Sequence, residues 1–515
     1  MEARITNRRM RTLCLWGSVL LLLIVLGPLP STTAEDAMEA ANTLGITAQD
    51  LASATSVSSG NTAFTQSTIS IPTYPYADFL YWETNTYYNI RYPVLNWTAY
   101  EQNPRTPVPQ DYELLVLEND FLKVTLLPEL GGRIYQLYDK STGHNQLYQN
   151  PVIKPTKWGP PEQRWWLAVG GIEWCLPVEE HGYEWGIPWS WSVITSTTGV
   201  TITVRDTELD DRIRTAIDIG LPHNRAYLVV TPHIENPTFA PIPYKFWLNA
   251  QVAPGAANKP GGNTQWIFNA DEVAVHSTED ARLPGDGKTI TGPDYRFSWP
   301  VYNGVDYSFL HNLDDWLGFF EYPQAGADFT GVYDHDSNEG VLRVFPSEVA
   351  RGSKGFSYGW GNPIPWSYWT DDGSSGVELH GGVAPTFWDN ALLNGWETLS
   401  WSEVWYPIGN VGGVTEATRE ATLGLEQNGD NLEINLQVTR AWQAGESRLF
   451  VWERASCYEL GYQDLPALAP GVPYQTIIPL QGHALDALAV AHVDADNHVL
   501  AAYGPTSCLD YTHPQ

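Results

Sequence analysis

The chain has 515 residues, more than one ordinary domain, and a formal net charge of −31. This acidity argues against nucleic acid and anionic membrane surfaces as partners, because both attract Lys and Arg. Charged residues make up only 17% of the chain, whereas aromatic residues make up 13% and include 23 Trp. Together with 44 Gly and 37 Pro, this composition is typical of an all-β protein with many turns.

The first 34 residues have the three parts of a signal peptide. Several Arg precede the apolar run 13–26, and Thr32, Thr33 and Ala34 then form a small-residue cleavage site. The apolar run is too short for a comfortable bilayer span. Residues 1–34 are therefore predicted to direct export to a secreted or extracytoplasmic location, and retention as an N-terminal membrane anchor is the alternative.

Residues 35–72 are rich in Ala, Ser and Thr and are interpreted as a linker. From Tyr74 onward, aromatic and β-branched segments are separated by Pro and Gly, which predicts strands and turns. Strands are predicted, among others, over 200–206, 212–219, 226–235, 244–252, 316–322, 340–345, 376–380 and 397–405. No stretch between Tyr74 and Val414 has sustained helical periodicity, so we expect antiparallel sheets packed face to face. One β-sandwich domain is predicted over 73–425.

The C-terminal part is predicted to be a separate small β-domain over 426–515. Residues 415–426 are interpreted as a short helix or an ordered connection. Cys457 and Cys508 both lie near the C-terminus, and an exported protein is expected to join them in a disulfide. Cys175 is then left as a buried free thiol.

Acidic and aromatic residues crowd together in 170–191, GGIEWCLPVEEHGYEWGIPWSW. Aromatic faces bind the apolar faces of sugar rings, and carboxylates accept hydrogen bonds from hydroxyls. The stretch therefore suggests a carbohydrate site, although tryptophans filling a core would give a similar pattern. No phosphate-binding glycine loop, CxxC pair or HExxH motif is present, and neither a metal nor a cofactor is expected.

Several longer motifs resemble one known group of proteins. They are FLKVTLLPELGGRIYQLYDKSTGHNQLYQNP, GGIEW, IENPTFAPIPYKFWLNAQVAPG, RVFPSEVARGSKGFSYGWG, VELHGG and SEVWYPIGNVGGVTEAT. The group is an uncharacterised bacterial family within the galactose-mutarotase-like, or aldose 1-epimerase-like, superfamily. The resemblance covers roughly residues 112–420. It implies a β-supersandwich whose broad concave face binds carbohydrate.

The resemblance also implies roles for individual residues. Mutarotases use a glutamate as the base on the anomeric hydroxyl and a histidine to protonate the ring oxygen. Glu378, in VELHGG, lies on a strand that resembles the one carrying the glutamate. The histidine is expected after Asn249, but Ala250 stands there, which puts simple mutarotation in doubt. His181 and His335 are the substitutes that the sequence offers.

Three carboxylates lie in strongly aromatic surroundings: Glu173, Glu378 and Glu403. Burial among indoles raises the pKa of a carboxyl group and suits it to act as a general acid. The alternative for each is a structural carboxylate bound to backbone or to an arginine such as Arg133. The predicted catalytic residues are Glu378, Glu173 and His181. The predicted ligand-binding residues are Trp174, Trp185, Glu184, Arg133, His380, Glu403 and Trp405.

Two kinds of function remain open from the sequence, both with a glycan or oligosaccharide as partner. One is a carbohydrate-active enzyme: an aldose 1-epimerase-like isomerase with Glu378 as base, a glycoside hydrolase that pairs Glu173 with Glu378, or a lyase. The other is a non-catalytic glycan-binding module on the same scaffold. The missing histidine favours binding, whereas the clustered acids favour an enzyme.

Overall fold

The regular structure of the protein is almost entirely β-strand. The computed structural model describes residues 56–103, 105–159, 162–285 and 292–509, and their strands confirm the predicted all-β class. The α-helix found in these residues, α1, spans only Trp97–Glu101. Short 3-10 helices lie at Ala77–Phe79, Pro128–Leu130, Leu310–Asn312, Trp366–Tyr368 and Leu485–Ala487. No helix in the described ranges is long and apolar enough to cross a membrane.

Thirty strands precede the C-terminal part. They are β1 (Ser56–Ser59), β2 (Thr62–Thr73), β3 (Leu80–Asn85), β4 (Ile90–Leu95), β5 (Val108–Glu118), β6 (Leu122–Leu127), β7 (Arg133–Asp139), β8 (His144–Asn145), β9 (Gln149–Thr156), β10 (Trp166–Gly170), β11 (Ile172–Cys175), β12 (Ser190–Thr195), β13 (Gly199–Arg205), β14 (Arg214–Pro222), β15 (Leu228–Glu235), β16 (Ile242–Tyr244), β17 (Trp247–Val252), β18 (Thr264–Ile267), β19 (Glu272–Thr278), β20 (Arg296–Ser298), β21 (Val301–Tyr302), β22 (Val305–Asp306), β23 (Leu317–Tyr322), β24 (Phe329–Asp334), β25 (Glu339–Val344), β26 (Gly352–Ser357), β27 (Val377–Gly382), β28 (Ala391–Leu393), β29 (Thr398–Ser400) and β30 (Glu403–Gly409).

The last eight strands are β31 (Glu416–Ala417), β32 (Ala421–Asn428), β33 (Asn431–Val438), β34 (Ser447–Glu453), β35 (Glu459–Asp464), β36 (Tyr474–Pro479), β37 (Leu488–Asp494) and β38 (Val499–Tyr503).

Two large sheets form the main body. The first has 15 strands and runs β10-β9-β2-β5-β6-β7-β11-β17-β27-β26-β23-β19-β20, with β1 beside β2 and β8 beside β7. The second has nine strands and runs β12-β13-β14-β15-β30-β25-β24-β18, with β29 beside β15. Neighbouring strands are antiparallel, as predicted, apart from the short pairing of β2 with β9.

The main apolar core lies between these two sheets. Leu126 and Ile134 of the 15-stranded sheet and Val204 and Ile219 of the nine-stranded sheet are fully buried in one cluster. Successive side chains of a strand point to opposite faces, so each strand of the 15-stranded sheet has an inner face towards this core and an outer face away from it. The arrangement confirms the predicted packing of antiparallel sheets face to face.

The C-terminal part contains two four-stranded sheets, β31-β32-β33-β36 and β35-β34-β37-β38. They enclose an apolar core of their own, to which Leu436, Leu449 and Val490 belong. The predicted Cys457–Cys508 disulfide is present, and Cys175 is a buried free thiol, as predicted. The described residues from Ser56 onward form one compact unit, so independent folding of the C-terminal part stays a prediction.

Two boundaries need correction. The predicted boundary at 425 falls inside β32, because 415–426 forms strand pairs and not a short helix; Thr422 pairs with both Ala417 and Gln437. The predicted linker is wrong over 56–72, where β2 pairs with β5 along its whole length. Thr is β-branched and favours strands, so a Ser/Thr-rich composition did not exclude one. The remainder of the linker and the signal peptide lie outside the described residues.

Candidate functional site

A row of polar residues crosses four adjacent strands of the 15-stranded sheet. Glu173 on β11 pairs with Asn249 on β17, Asn249 pairs with His380 on β27, and His380 pairs with Lys354 on β26. Directly paired residues share a face of the sheet. Their strand neighbours belong to the core between the sheets, so the polar row lies on the outer face; those neighbours are Ile172, Trp174, Leu248, Ala250 and Leu379.

Glu378 is two residues before His380 on β27, so its carboxylate lies beside this row on the same face. It accepts hydrogen bonds from His380 Nε2 at 2.9 Å, from the Tyr358 hydroxyl at 3.1 Å and from Gln251 Nε2 at 3.4 Å. Burial alone would raise the pKa of Glu378, but the His380 hydrogen bond and the Lys354 charge outweigh it and hold the pKa well below its ordinary value. Glu378 is therefore ionised at neutral pH.

His380 is neutral in the same surroundings. Burial, together with the nearby ammonium group of Lys354, lowers the pKa of His380 to about 3. Burial also lowers the pKa of Lys354, while the carboxylates of Glu180 and Glu378 oppose that shift. The imidazole thus donates its Nε2 proton to Glu378 and leaves Nδ1 as an acceptor.

His181 approaches this face from the loop that follows β11. Its Nδ1 is hydrogen-bonded to Oε1 of Glu173, and its ring stacks on Trp166 with centroids 4.5 Å apart and planes at 24°. Burial lowers the pKa of His181, but the carboxylates of Glu173, Glu378 and Glu180 together outweigh burial, and the pKa is raised above its ordinary value. The environment of His181 therefore favours the imidazolium form.

Glu173 lies behind His181 and is fixed by two donors. Arg133 Nη2 is 3.4 Å from its Oε2, and Trp166 Nε1 donates to the same oxygen at 3.2 Å. Arg133 also donates to the backbone carbonyls of Leu130, Gly170 and Trp185. Arg133 is thus a buried side chain that donates to four protein acceptors and holds the structure together, so its predicted binding role is corrected.

A tight turn brings His181 back over β11. Glu180 and Gly182 both have positive φ, at 63° and 65°. A Cβ at Gly182 would lie 2.6 Å from the backbone nitrogen of Leu176, so only glycine fits this close approach. The Cys175 thiol donates to the carbonyl of Glu180 and anchors the turn. The tight turn therefore explains why a glycine, Gly182, follows His181.

Glu378, His380 and His181 line one cavity of about 230 Å³. Its other lining residues, which the sequence did not single out, are Thr156, Trp158, Gly159, Trp166, Glu180, His276, Ser277, Trp316, Lys354, Phe356, Tyr358 and Trp369. Lys354 and Phe356 stand at alternate positions of β26 and so share one face, and their pairing with His380 and Glu378 puts that face on the side of Glu378.

Some polar atoms around the cavity have unused hydrogen-bonding capacity. Both side-chain amide atoms of Asn249, Oε1 of Gln251 and Nδ1 of His380 are buried with no hydrogen-bond partner among the described residues. Buried polar groups are nearly always paired, so these atoms indicate a place where a polar ligand completes the network.

Three predicted binding residues of the central stretch do not reach the cavity. Trp174 is buried in the core between the sheets and donates to the Gly132 carbonyl at 3.1 Å. Trp185 is buried against Trp165 and donates to Gln163 at 3.2 Å. Neither ring has an open face for a sugar. Glu184 forms an ion pair with Arg212 at 2.8 Å outside the cavity.

The predicted binding roles of Glu403 and Trp405 are corrected for a different reason: both residues belong to the nine-stranded sheet. Both carboxylate oxygens of Glu403 bind Arg343, at 3.1 and 2.8 Å, and Trp405 Nε1 donates to the same carboxylate at 2.9 Å. All three side chains are fully buried. The Glu403 carboxylate thus forms a structural ion pair with Arg343 in the interior of the sandwich.

Of the two histidines offered as substitutes, only His181 lines the cavity. His335 follows β24 of the nine-stranded sheet, and its Nε2 lies 2.9 Å from Gln265 Oε1. Ala250, which stands where the mutarotase histidine is expected, points into the core. The cavity therefore has a histidine, brought there by a loop and not by β17.

The model of the family described as "Domain of unknown function (DUF5107)" matches residues 88–398, which is more than half of the chain. The chain belongs to this family. The uncharacterised family predicted from the motifs is thus confirmed.

Solved structures share parts of this fold. A TPR-domain containing protein from Parabacteroides distasonis is 20% identical, with a TM-score of 0.56 over 68% of this chain and 56% of that protein, so the chain spans about half of its length. A galactose mutarotase-like protein from Clostridium acetobutylicum is 13% identical, with a TM-score of 0.39 over 58% of this chain and 96% of its own. A galactose mutarotase related enzyme from Lactobacillus acidophilus is 11% identical, with a TM-score of 0.39 over 57% and 96%.

Proposed function

We propose that this protein is an exported carbohydrate-active enzyme that transfers protons at a sugar bound in the 230 Å³ cavity. The observation that carries the proposal is a pair of groups with oppositely shifted pKa values. Glu378 is held ionised and suits a base, whereas His181 is favoured in its protonated form and suits an acid. Environments that push two titratable groups apart in this way assign acid and base roles.

The surroundings of the pair support a polyol ligand. Tyr358 and His380 orient the Glu378 carboxylate, and the indoles of Trp166 and Trp369 lie on the cavity wall. Aromatic rings pack against the apolar face of a sugar, while the unused Nδ1 of His380, which lines the cavity, suits a hydroxyl. Proton abstraction from an anomeric hydroxyl by Glu378, with protonation of the ring oxygen by His181, opens the ring and gives an aldose 1-epimerase-like reaction.

A glycoside hydrolase remains the second candidate, with a changed pair of carboxylates. Glu173 does not line the cavity, but Glu180 does, together with Glu378. Glu180 Oε1 lies 3.8 Å from His276 Nε2, and the Glu180 side chain is 31% exposed. A hydrolase would therefore use Glu180 and Glu378, since hydrolysis needs two carboxyl groups that face the same bond.

Export of the protein is also part of the proposal. The tripartite N-terminal sequence supports it, and so does the Cys457–Cys508 disulfide, because disulfides persist in oxidising compartments. The mature protein is expected to begin near Glu35. Mass spectrometry of the N-terminal peptide from cells that make the full chain tests this, and a protein that keeps residues 1–34 in the soluble fraction would contradict export.

The test of the reaction begins with a glycan array, followed by incubation of the hits with the protein and analysis of the products by NMR. Glu378→Gln keeps the shape and removes the charge, so turnover should fall by about 10²-fold or more with little change in affinity. Glu179→Gln is the matched control, because Glu179 pairs with Lys245 outside the cavity.

The same variants separate the alternatives. A hydrolase predicts that Glu180→Gln also abolishes turnover, whereas an epimerase-like enzyme predicts that His181→Gln does so and Glu180→Gln does not. In a module that only binds sugar, Glu378→Gln instead weakens affinity by about 1.5–3 kcal/mol, the contribution of hydrogen bonds to a charged group. Unchanged turnover and affinity in Glu378→Gln would refute the site itself.

A further inference from the structure

A larger groove adjoins the cavity. Its volume is about 680 Å³, compared with about 230 Å³ for the cavity, and the lining of both includes Thr156 and Trp158. Small-molecule sites commonly measure roughly 300–1,000 Å³, so the groove alone is large enough to hold a ligand. A ligand that fills the cavity and extends past Trp158 therefore enters the groove.

Aromatic side chains form much of the groove wall. They are Tyr74, Trp97, Tyr100, Trp158 and Tyr368. Trp158 is 38% exposed and Tyr368 48% exposed, so both present open ring area to solvent. More than one open aromatic face in a groove of this volume suits successive sugar rings better than a single small ligand.

The charge of the groove is opposite to that of the chain as a whole. The protein has 59 acidic and 28 basic residues, yet the groove is lined by Arg105, Lys154 and Lys157 and by one acid, Glu101. Lys157 pairs with Glu101 at 2.6 Å, and both side chains are more than half exposed. Lys154 is bound to Asp371 at 2.7 Å.

Arg105 carries the least compensated charge of the three. Its guanidinium lies over the Phe79 ring at 4.1 Å, and its Nε is buried without a hydrogen-bond partner among the described residues. Arg donors match the geometry of carboxylates, so Arg105 and Lys157 are suited to bind an anionic group in the groove.

We infer that the ligand is an acidic oligosaccharide of at least three units. One unit occupies the cavity, and the following uronic acid units lie in the groove, stacked on Trp158 and Tyr368 with their carboxylates towards Arg105 and Lys157. This inference rests on the proposed function, because it takes the cavity as the place of the reacting sugar.

The test is calorimetric binding of uronic acid trimers, their monomers and neutral trimers of the same linkages to the full-length mature protein. At least one acidic trimer should bind at least ten times more tightly than both its monomer and the matched neutral trimer. Its affinity should fall as the salt concentration rises, since exposed charges are screened. If every acidic trimer binds no better than its monomer or its neutral counterpart, the inference is wrong.

Two charge variants sharpen this test. Lys157→Ala should weaken the acidic trimer about two- to five-fold, the worth of an exposed charge pair. Glu101→Gln releases Lys157 from its intramolecular partner and should strengthen the acidic trimer by a similar factor. Neither variant should alter binding of the monomer. Weaker binding in Glu101→Gln would contradict the assignment of Lys157 to the ligand.

The stacking face is tested separately. Trp158→Ala should weaken acidic trimers about two- to ten-fold, the range expected for loss of an aromatic contact. Trp360→Ala is the control, because that ring is 44% exposed and does not line the groove. If monomers bind and trimers bind no more tightly than monomers, only the inference about the groove is wrong. If trimers bind tightly but Glu378→Gln leaves turnover and affinity unchanged, the proposed reaction fails and the groove stands.

Discussion

Replacing Glu173 by Gln removes the carboxylate that holds the proton on His181. In the native protein burial lowers the pKa of His181, and the carboxylates of Glu173, Glu378 and Glu180 together raise it by more, with the hydrogen-bonded Glu173 contributing most. Hydrogen bonds to charged groups contribute about 1.5–3 kcal/mol, and one pKa unit corresponds to about 1.36 kcal/mol. In Glu173→Gln the imidazolium form of His181 should therefore lose about 1.5–3 kcal/mol of stabilisation, and the pKa of His181 should fall.

The sign of the accompanying stability change follows from linkage. A raised folded-state pKa means that the His181 proton stabilises the fold fully below the unfolded value of 6.5. That stabilisation is lost as the pH rises through the folded pKa. In Glu173→Gln only the weaker effects of the Glu378 and Glu180 carboxylates oppose burial, so the folded pKa drops and the stabilising effect of acidic pH at this residue should become smaller.

The assay is NMR titration of histidine side chains in isotopically labelled protein, with the His181 signals assigned from a His181→Gln sample. Glu184→Gln is the matched control, because Glu184 lies in the same segment but pairs with Arg212. A His181 pKa that is equal in the native protein and in Glu173→Gln would refute the account of how the acid is generated.

Three further predictions test the buried interior of the protein and its disulfide. Burial raises the pKa of Glu321 to about 8 from an ordinary 4.5, so the free energy of unfolding should fall as the pH rises between these values. In the native protein urea unfolding should show a fall of roughly 3 kcal/mol between pH 4.5 and 7. Glu321→Gln should abolish this fall. A Cβ at Gly381 would overlap the Arg343 guanidinium, so Gly381→Ala should cost about 1–3 kcal/mol, and an unchanged melting temperature would contradict this packing. Reduction should add two hydrogen masses to the intact protein through Cys457 and Cys508, and an unchanged mass would exclude the disulfide.

The sequence predicted the β architecture and part of the site, because both follow from local patterns. Glu378 and His380 are two positions apart on one strand, and alternation places them on the same face. His181 and Glu173 were grouped by proximity in the chain, and the tight turn at Gly182 does bring them together. Strand alternation, proximity in the chain and the family resemblance were enough to predict that these residues lie close together.

The errors have physical causes that composition does not reveal. Glu173 and Trp174 are adjacent on a strand and point to opposite faces, so Glu173 lies behind His181 and Trp174 is buried in the core, and neither lines the cavity. Glu403 has an aromatic setting similar to that of Glu378, but its strand belongs to the other sheet. Lys354 was missed because pairing of its strand with β27 is a long-range contact.

The central claim is that the outer face of the 15-stranded sheet binds a sugar between Glu378 and His181. A crystal structure of the mature protein with an array-identified sugar tests it most directly. The account predicts a sugar ring in the 230 Å³ cavity, with hydroxyls within hydrogen-bond distance of the Glu378 carboxylate and of the His181 ring. A sugar bound elsewhere, with both of these side chains free of contact, would contradict it.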